Sequence, residues 1–156
     1  MTRLAAGDRA PDFSLATDAG EIVSSRDLAG RRYVLYFYPK DDTPGCIKQA
    51  CGIRDSFSRV TATGVEVFGV SPYSVRSHAR FRDKYALPYR LLSDEGHRLA
   101  EAYGVWIEKN AMGRTYFGNE RTTFIIGPDG RIEQVLPKVK PDEHVSQLMA
   151  ALADAA

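Results

Sequence analysis

The two cysteines of the chain, Cys46 and Cys51, are its most reactive side chains, and they follow a loop rich in proline and glycine. This loop begins at Pro39, ends at Gly45 and separates an apolar segment from an amphipathic one. A cysteine at the start of a helix lies beside unpaired N–H groups and a partial positive charge, which stabilise a thiolate. The sequence therefore predicts a nucleophilic Cys46 at a helix N-terminus.

A thiolate in this position could attack the O–O bond of a peroxide. A free cysteine is already a few per cent ionised near neutral pH, so complete ionisation would raise the rate only about ten- to thirtyfold. A fast peroxidase therefore also needs groups that align the peroxide and stabilise the departing oxygen. The Thr43 hydroxyl, the N–H groups near Cys46 and an arginine supplied by the fold are the candidates.

Turnover requires a second thiol, and Cys51 is the only candidate in the chain. Attack on a peroxide would leave Cys46 as a sulfenic acid, which another thiol converts to a disulfide. Five residues apart on an intact helix, the two Cα atoms would be about 8–9 Å apart. A disulfide spans at most about 7 Å. We therefore expect residues 45–52 to unwind when the bond forms.

Two apolar segments are predicted to hold this loop in place. Both 33–38 and 65–70 are rich in β-branched and aromatic residues, which is typical of strands buried on both faces. Between them one helical stripe continues until Gly64 ends the helix. The stripe comprises Cys46, Ala50, Ile53, Phe57 and Val60. This strand–helix–strand order predicts a parallel crossover.

The remaining segments complete an α/β fold. Alternating residues on either side of Gly20 predict an N-terminal hairpin, and 122–136 forms a second hairpin around Gly130. Helices are predicted from Ser71–Pro72, after Asp94 and from Pro141, with a short strand at 89–92 and a long loop at 105–118. We expect one domain, 1–156, with a mixed sheet flanked by helices on both faces.

Composition excludes several other classes of protein. A net charge of +1 gives no field that would attract nucleic acid or an anionic membrane. The first ten residues lack the apolar core of a secretory signal, so we expect a cytoplasmic protein whose thiols are reduced at rest. Cys-x4-Cys is not zinc-ligand spacing, and His78, His97 and His144 are scattered, so we expect surface histidines and no metal.

Four motifs stand out in the sequence: Tyr36-Phe-Tyr-Pro39, Thr43-Pro-Gly-Cys46, Gln49-Ala-Cys-Gly52 and the segment from Arg121 to Ile126. Together they resemble the peroxiredoxins, in particular the bacterioferritin-comigratory-protein or PrxQ group. One departure is Ile47, which stands where the group often has threonine. Because that side chain would point away from the nucleophile, we expect altered packing there and retained activity.

The resemblance implies a thioredoxin-like fold and a thiol peroxidase that needs no metal or organic cofactor. It implies reduction of hydrogen peroxide or alkyl hydroperoxides, with thioredoxin or glutaredoxin as the electron donor and a monomeric protein. It also assigns roles to six residues. These are Cys46 as peroxidatic cysteine, Cys51 as resolving cysteine, Thr43 as hydrogen-bond partner of the peroxide, Pro39 as a shield against water, Arg121 as support for the thiolate and Gln49 as support for the arginine.

Simpler interpretations of the same residues remain open from the sequence alone. Either cysteine could be a buried small hydrophobe, and Thr43 could only stabilise its loop. Arg121 could form an ordinary surface ion pair, and Gln49 could be a solvated helix residue. At the level of function, the alternatives are a redox-responsive binding protein and a thioredoxin-like thiol exchanger, although the Cys-x-x-Cys motif of the latter is absent.

Overall fold

A seven-stranded sheet forms the centre of the protein, which a computed structural model describes from residue 2 to residue 154. The strand order is β2-β1-β5-β4-β3-β8-β9, and β6 pairs with β7 in a separate two-stranded sheet. The strands are β1 Ser14–Thr17, β2 Ile22–Ser24, β3 Arg32–Phe37, β4 Val65–Ser71, β5 Arg90–Ser93, β6 Trp106–Ala111, β7 Arg114–Asn119, β8 Thr122–Ile126 and β9 Ile132–Leu136.

Strand β3 lies near the middle of the sheet because its side chains are apolar on both faces. Val34 and Tyr36 pack into one buried cluster, whereas Leu35 and Phe37 pack into the cluster on the opposite face. β3 pairs in parallel with β4 and antiparallel with β8, so the sheet is mixed as predicted. The parallel pairing also confirms the crossover from β3 to β4.

Helices cover both faces of the sheet, as expected. Apolar residues of α1, α3 and α5 belong to the cluster that contains Tyr36, and those of α4 belong to the cluster that contains Phe37. The helices are α1 Pro44–Asp55, α2 Phe57–Thr61, α3 Val75–Tyr85, α4 Arg98–Ala102 and α5 His144–Asp154. Within residues 2–154, none of the helices combines the length and apolarity needed to cross a membrane.

The predicted single helix after the cysteine loop is in fact two helices. α1 ends at Asp55 and α2 starts at Phe57, with Ser56 between them at φ −110° and ψ 11°. The N–H of Ser56 bonds the Ile53 carbonyl, a tighter turn than an α-helix makes. The apolar stripe nevertheless holds, because Cys46, Ile53 and Val60 are all buried.

The prediction of a long loop over 105–118 was wrong, since most of this segment forms the β6–β7 hairpin. Met112 and Gly113 make its two-residue turn with positive φ at both positions, 52° and 78°. Apolar and polar residues do not clearly alternate along its strands, because most of these residues are exposed or only partly buried. The glycine in the turn and the aromatic pair Tyr116–Phe117 were the available signals.

Three helix starts were also predicted too early, and one of them is that of α4, which begins at Arg98 and not directly after Asp94. α3 begins at Val75, where the Ser74 hydroxyl accepts a hydrogen bond from the N–H of Ser77. Ser74, and not Ser71 at the predicted start, is therefore the N-cap residue of this helix. Similarly, α5 begins at His144, three residues after Pro141.

Candidate active site

The loop before Cys46 is held by the ends of the central strands. The Tyr38 N–H donates to the Val70 carbonyl at 3.1 Å, and the Asn119 amide donates to the Tyr38 carbonyl at 3.2 Å. The half-buried Pro39 follows, and because proline has no N–H, no donor is left unpaired where the strand ends. The chain therefore leaves the sheet at a fixed point.

Helix α3 fixes the middle of this loop through two carboxylates. Asp41 accepts hydrogen bonds from Tyr38, Ser77 and His78 at 2.6–2.7 Å. The neighbouring carboxylate, Asp42, bonds residues near the C-terminal end of α3. This anchorage was not predicted, since it depends on residues of α3 more than thirty positions away in the sequence.

Cys46 lies in the first turn of α1, as predicted, and is almost fully buried. The first N–H to bond within the helix is that of Ile47, which donates to the Thr43 carbonyl at 2.8 Å. The N–H groups of Gly45 and Cys46 therefore precede the helical ladder and point toward the N-terminal end. This arrangement directs a partial positive charge at the sulfur.

Arg121 is the arginine that the fold places beside Cys46. Its Nη1 donates to Cys46 Sγ at 3.2 Å and to Gln49 Oε1 at 2.9 Å. Arg121 stands just before β8, and its carbonyl accepts the Val139 N–H, which anchors its backbone. The fold thus brings Cys46, Gln49 and Arg121 together, and Gln49 is fully buried, so a solvated helix position is excluded.

Gly45 makes room for this guanidinium. A Cβ atom at position 45 would lie 2.7 Å from Arg121 Nη2 and 3.4 Å from its Cζ. Real Cβ atoms do not approach other atoms this closely, so any larger residue would push the arginine away. The glycine before the cysteine therefore has a specific structural role in the site.

A buried histidine completes the polar cluster. His144 Nδ1 lies 3.2 Å from Gln49 Nε2, and its Nε2 lies 2.8 Å from Thr123 Oγ1. Burial, with a further contribution from Arg121, lowers the pKa of His144 to about 4. The expectation of surface histidines was wrong for His78 and His144, because both are fully buried and have partners at both ring nitrogens.

Thr43 is the N-cap residue of α1, three residues before the cysteine, and is half-buried. Its hydroxyl donates to the Lys40 carbonyl at 3.0 Å and does not cap the helix. This bond stabilises the loop, which was the simpler interpretation of Thr43. The hydroxyl oxygen keeps lone pairs that can accept a hydrogen bond from another group.

Cys51 lies on the same helix as Cys46, and both thiols are free. Cys51 is half-buried, and this burial raises the pKa of its thiol, an effect that Arg54 opposes. The two cysteines occupy an unbroken helical segment, so they are not placed for a disulfide in this conformation. Among residues 2–154, no group of three or more His, Cys, Asp or Glu side chains could hold a metal ion.

Fold and site together define a class: an enzyme with a reactive thiol at a helix N-terminus, supported by an arginine. The AhpC/TSA family model matches residues 6–135. Putative peroxiredoxin bcp of Coxiella burnetii is 51% identical over 146 residues, which cover 94% of this chain and 97% of that protein. Peroxiredoxin Bcp of Bacillus subtilis is 45% identical over 148 residues, covering 95% and 94%.

A solved structure of Xanthomonas campestris bacterioferritin comigratory protein superposes on the whole chain with a TM-score of 0.88. The two chains are 34% identical, and each is covered completely by the other. The chain therefore belongs to the AhpC/TSA family and, within it, to the Bcp/PrxQ peroxiredoxins, which are thiol peroxidases. The family and the thioredoxin-like fold predicted from the motifs are thus confirmed.

Proposed function

We propose that this peroxiredoxin reduces peroxides through Cys46 as nucleophile and Cys51 as resolving thiol. The observation that carries this proposal is the contact between Arg121 Nη1 and Cys46 Sγ, 3.2 Å long, at the N-terminus of α1. A fixed cation beside the sulfur stabilises the thiolate and the charge that develops on the peroxide oxygens. The substrates are hydrogen peroxide and alkyl hydroperoxides, in line with the alkyl peroxide reduction ascribed to the Xanthomonas protein.

In the first step the Cys46 thiolate attacks one peroxide oxygen and the O–O bond breaks. The sulfur becomes a sulfenic acid, and the other oxygen leaves as water or an alcohol after taking up a proton. Thr43 accepts the hydrogen bond of the bound hydroperoxide, while Pro39 keeps water from the sulfur. Gln49 keeps Arg121 directed at the reacting atoms, because its Oε1 binds the same Nη1 that contacts the sulfur.

In the second step the Cys51 thiol attacks the sulfenic sulfur, and water leaves as the disulfide forms. The first turns of α1, residues 45–52, unwind to allow this. A dithiol of the thioredoxin or glutaredoxin type then reduces the disulfide and restores both thiols. We further propose a monomeric, cytoplasmic protein whose residues 1–156 form one domain.

The test is peroxide consumption in the presence of thioredoxin, thioredoxin reductase and NADPH. Continuous turnover supports the peroxidase, whereas oxidation of one equivalent without turnover indicates a redox sensor, and disulfide exchange without peroxide consumption indicates a thiol exchanger. Cys46→Ser should abolish the reaction with peroxide. Cys51→Ser should react once and then stop, so failure of that variant to react at all contradicts the assigned roles.

The disulfide is tested by mass spectrometry of the peroxide-treated protein. We expect an intramolecular bond between Cys46 and Cys51. If only intermolecular disulfides or a persistent sulfenic acid appear, the assignment of Cys51 is wrong, although Cys46 can still be the nucleophile.

A further inference from the structure

A continuous series of hydrogen bonds links the Cys46 sulfur to strand β8 through Arg121, Gln49, His144 and Thr123. We propose that His144 is a positioning residue that fixes the Gln49 amide and thereby sets the balance between folded and unwound α1. This inference rests on the roles proposed above for the two cysteines. It assigns to a residue of the last helix an influence on both chemical steps.

The direction of each bond follows from its partners. Because Gln49 Oε1 accepts from Arg121, the Gln49 Nε2 group is the donor that faces His144 Nδ1. Nδ1 must then carry a lone pair, and the Nε2–H donates to Thr123 Oγ1. A flipped Gln49 amide would direct its N–H groups at the guanidinium, where two donors repel each other. His144 therefore holds Gln49 in the orientation that Arg121 needs.

The imidazole itself is rigidly held. It is fully buried, and its ring packs edge-on against Tyr36 of β3 with centroids 5.5 Å apart. Its low pKa keeps it neutral near pH 7, which preserves the acceptor at Nδ1. Contacts with strands β3 and β8 thus fix His144, which is one partner of the His144–Gln49 hydrogen bond, and the other partner, Gln49, lies on α1.

Unwinding of α1 must break the contact between Gln49 and His144. Gln49 lies between the two cysteines, within the segment that has to unfold before the disulfide forms. The hydrogen bond therefore favours the folded helix, in which the sulfur faces Arg121, over the unwound helix. Loss of this one contact should slow the reaction with peroxide and accelerate disulfide formation.

Two substitutions of His144 separate positioning from packing. In His144→Asn the side-chain oxygen can replace Nδ1 and still accept from Gln49, whereas in His144→Gln the amide reaches the Nε2 position and the acceptor for Gln49 is lost. We expect His144→Gln to react with hydrogen peroxide about three- to tenfold more slowly and to form the disulfide faster by a similar factor, the effect of one hydrogen bond. His144→Asn should recover most of both rates.

Thr123→Val provides an independent variant in case substitution of His144 prevents folding. It removes the partner that fixes the His144 tautomer, so both rates should change in the same directions as in His144→Gln, by a smaller factor. Ser146→Ala, at an exposed position on the same helix, is the control and should match the wild type. The rates come from rapid mixing of the reduced protein with hydrogen peroxide, followed by acid quenching and mass spectrometry.

The proposal is overturned if the Asn and Gln variants behave alike, or if both rates fall together in proportion to the loss of thermal stability. That result would mean that His144 only supports the packing of α5. If the wild type itself forms no Cys46–Cys51 disulfide, the proposed function fails first, so the two failures are distinguishable.

Discussion

Replacement of Gly45 by alanine should impair the peroxidase while leaving the fold intact. The added Cβ would lie 2.7 Å from Arg121 Nη2, whereas ordinary contacts begin at 3.4 Å, so the guanidinium has to retreat by about 0.7 Å. Its bonds to Cys46 Sγ and Gln49 Oε1 are 3.2 and 2.9 Å long. A retreat of this size takes both toward the limit for a hydrogen bond.

The size of the effect follows from the type of bond that is lost. A hydrogen bond to a charged group contributes about 1.5–3 kcal/mol, which corresponds to a rate decrease of about ten- to a hundredfold. The free energy of unfolding should rise slightly or stay unchanged. Alanine is favoured over glycine in a helix by up to about 1 kcal/mol, and the displaced atoms are the far end of a flexible side chain.

The assay is the single-turnover rate of reduced protein with hydrogen peroxide, measured together with the urea midpoint of unfolding. Gly52→Ala is the matched control, since it adds the same methyl group to the same helix, 3.3 Å from Val145 and away from the arginine. If Gly45→Ala reacts as fast as Gly52→Ala and the wild type, Arg121 does not supply the rate and the reasoning fails.

Two further predictions concern the residues that hold α1. Tyr89→Phe removes the hydroxyl that donates to the Ala50 carbonyl at 3.0 Å. Because this bond holds the folded helix, we expect the disulfide to form about three- to tenfold faster in the variant. An unchanged rate of disulfide formation in acid-quench experiments would mean that α1 does not unwind at Ala50. The pKa of His144 is lowered from 6.5 in the unfolded chain to about 4 in the fold. Between these two values the unfolded chain takes up a proton that the folded protein does not, so the folded state loses stability as the pH falls from about 6.5 toward 4. From about pH 7.5 to about pH 5 the wild type should therefore lose about 2 kcal/mol more stability than His144→Asn, and parallel urea midpoints for the two proteins would contradict this.

The sequence predicted those parts of the fold and site that depend on local patterns. Strand β3, the proline and glycine of the loop and the helix that begins beside Cys46 all leave signals within a few residues. The β6–β7 hairpin was missed for the same reason. Most of its residues are exposed or only partly buried, so the alternation that marks a strand buried on one face is weak.

Contacts between residues far apart in the sequence explain why the rest of the site could not be predicted from local patterns. Arg121 lies 75 residues from Cys46 along the chain, and only the family motif indicated its role. Gln49 and His144 are 95 residues apart, and nothing near His144 in the sequence shows that its ring is buried against β3 and β8. Histidine is intermediate in its tendency to be buried, and two acidic residues, Asp142 and Glu143, precede His144, so its burial depends on the tertiary fold.

The contacts around the site also indicate why unwinding would be confined to α1. The preceding loop is fixed to the sheet by Asn119 and to α3 by Asp41 and Asp42, so it can stay in place. The first turns of α1 are held from outside by a few side-chain bonds, two from Arg121 and one each from His144 and Tyr89.

Burial of Cys51 favours one order of the two proposed chemical steps. In the folded helix burial raises the pKa of the Cys51 thiol, which disfavours the thiolate form that reacts with peroxide. The proposed unwinding of α1 would expose the thiol, remove the cause of the pKa shift and make a thiolate easier to form. In the proposed mechanism the same movement would bring Cys51 within reach of the sulfenic acid and make it more reactive, so the second step would follow the release of Cys46 by α1.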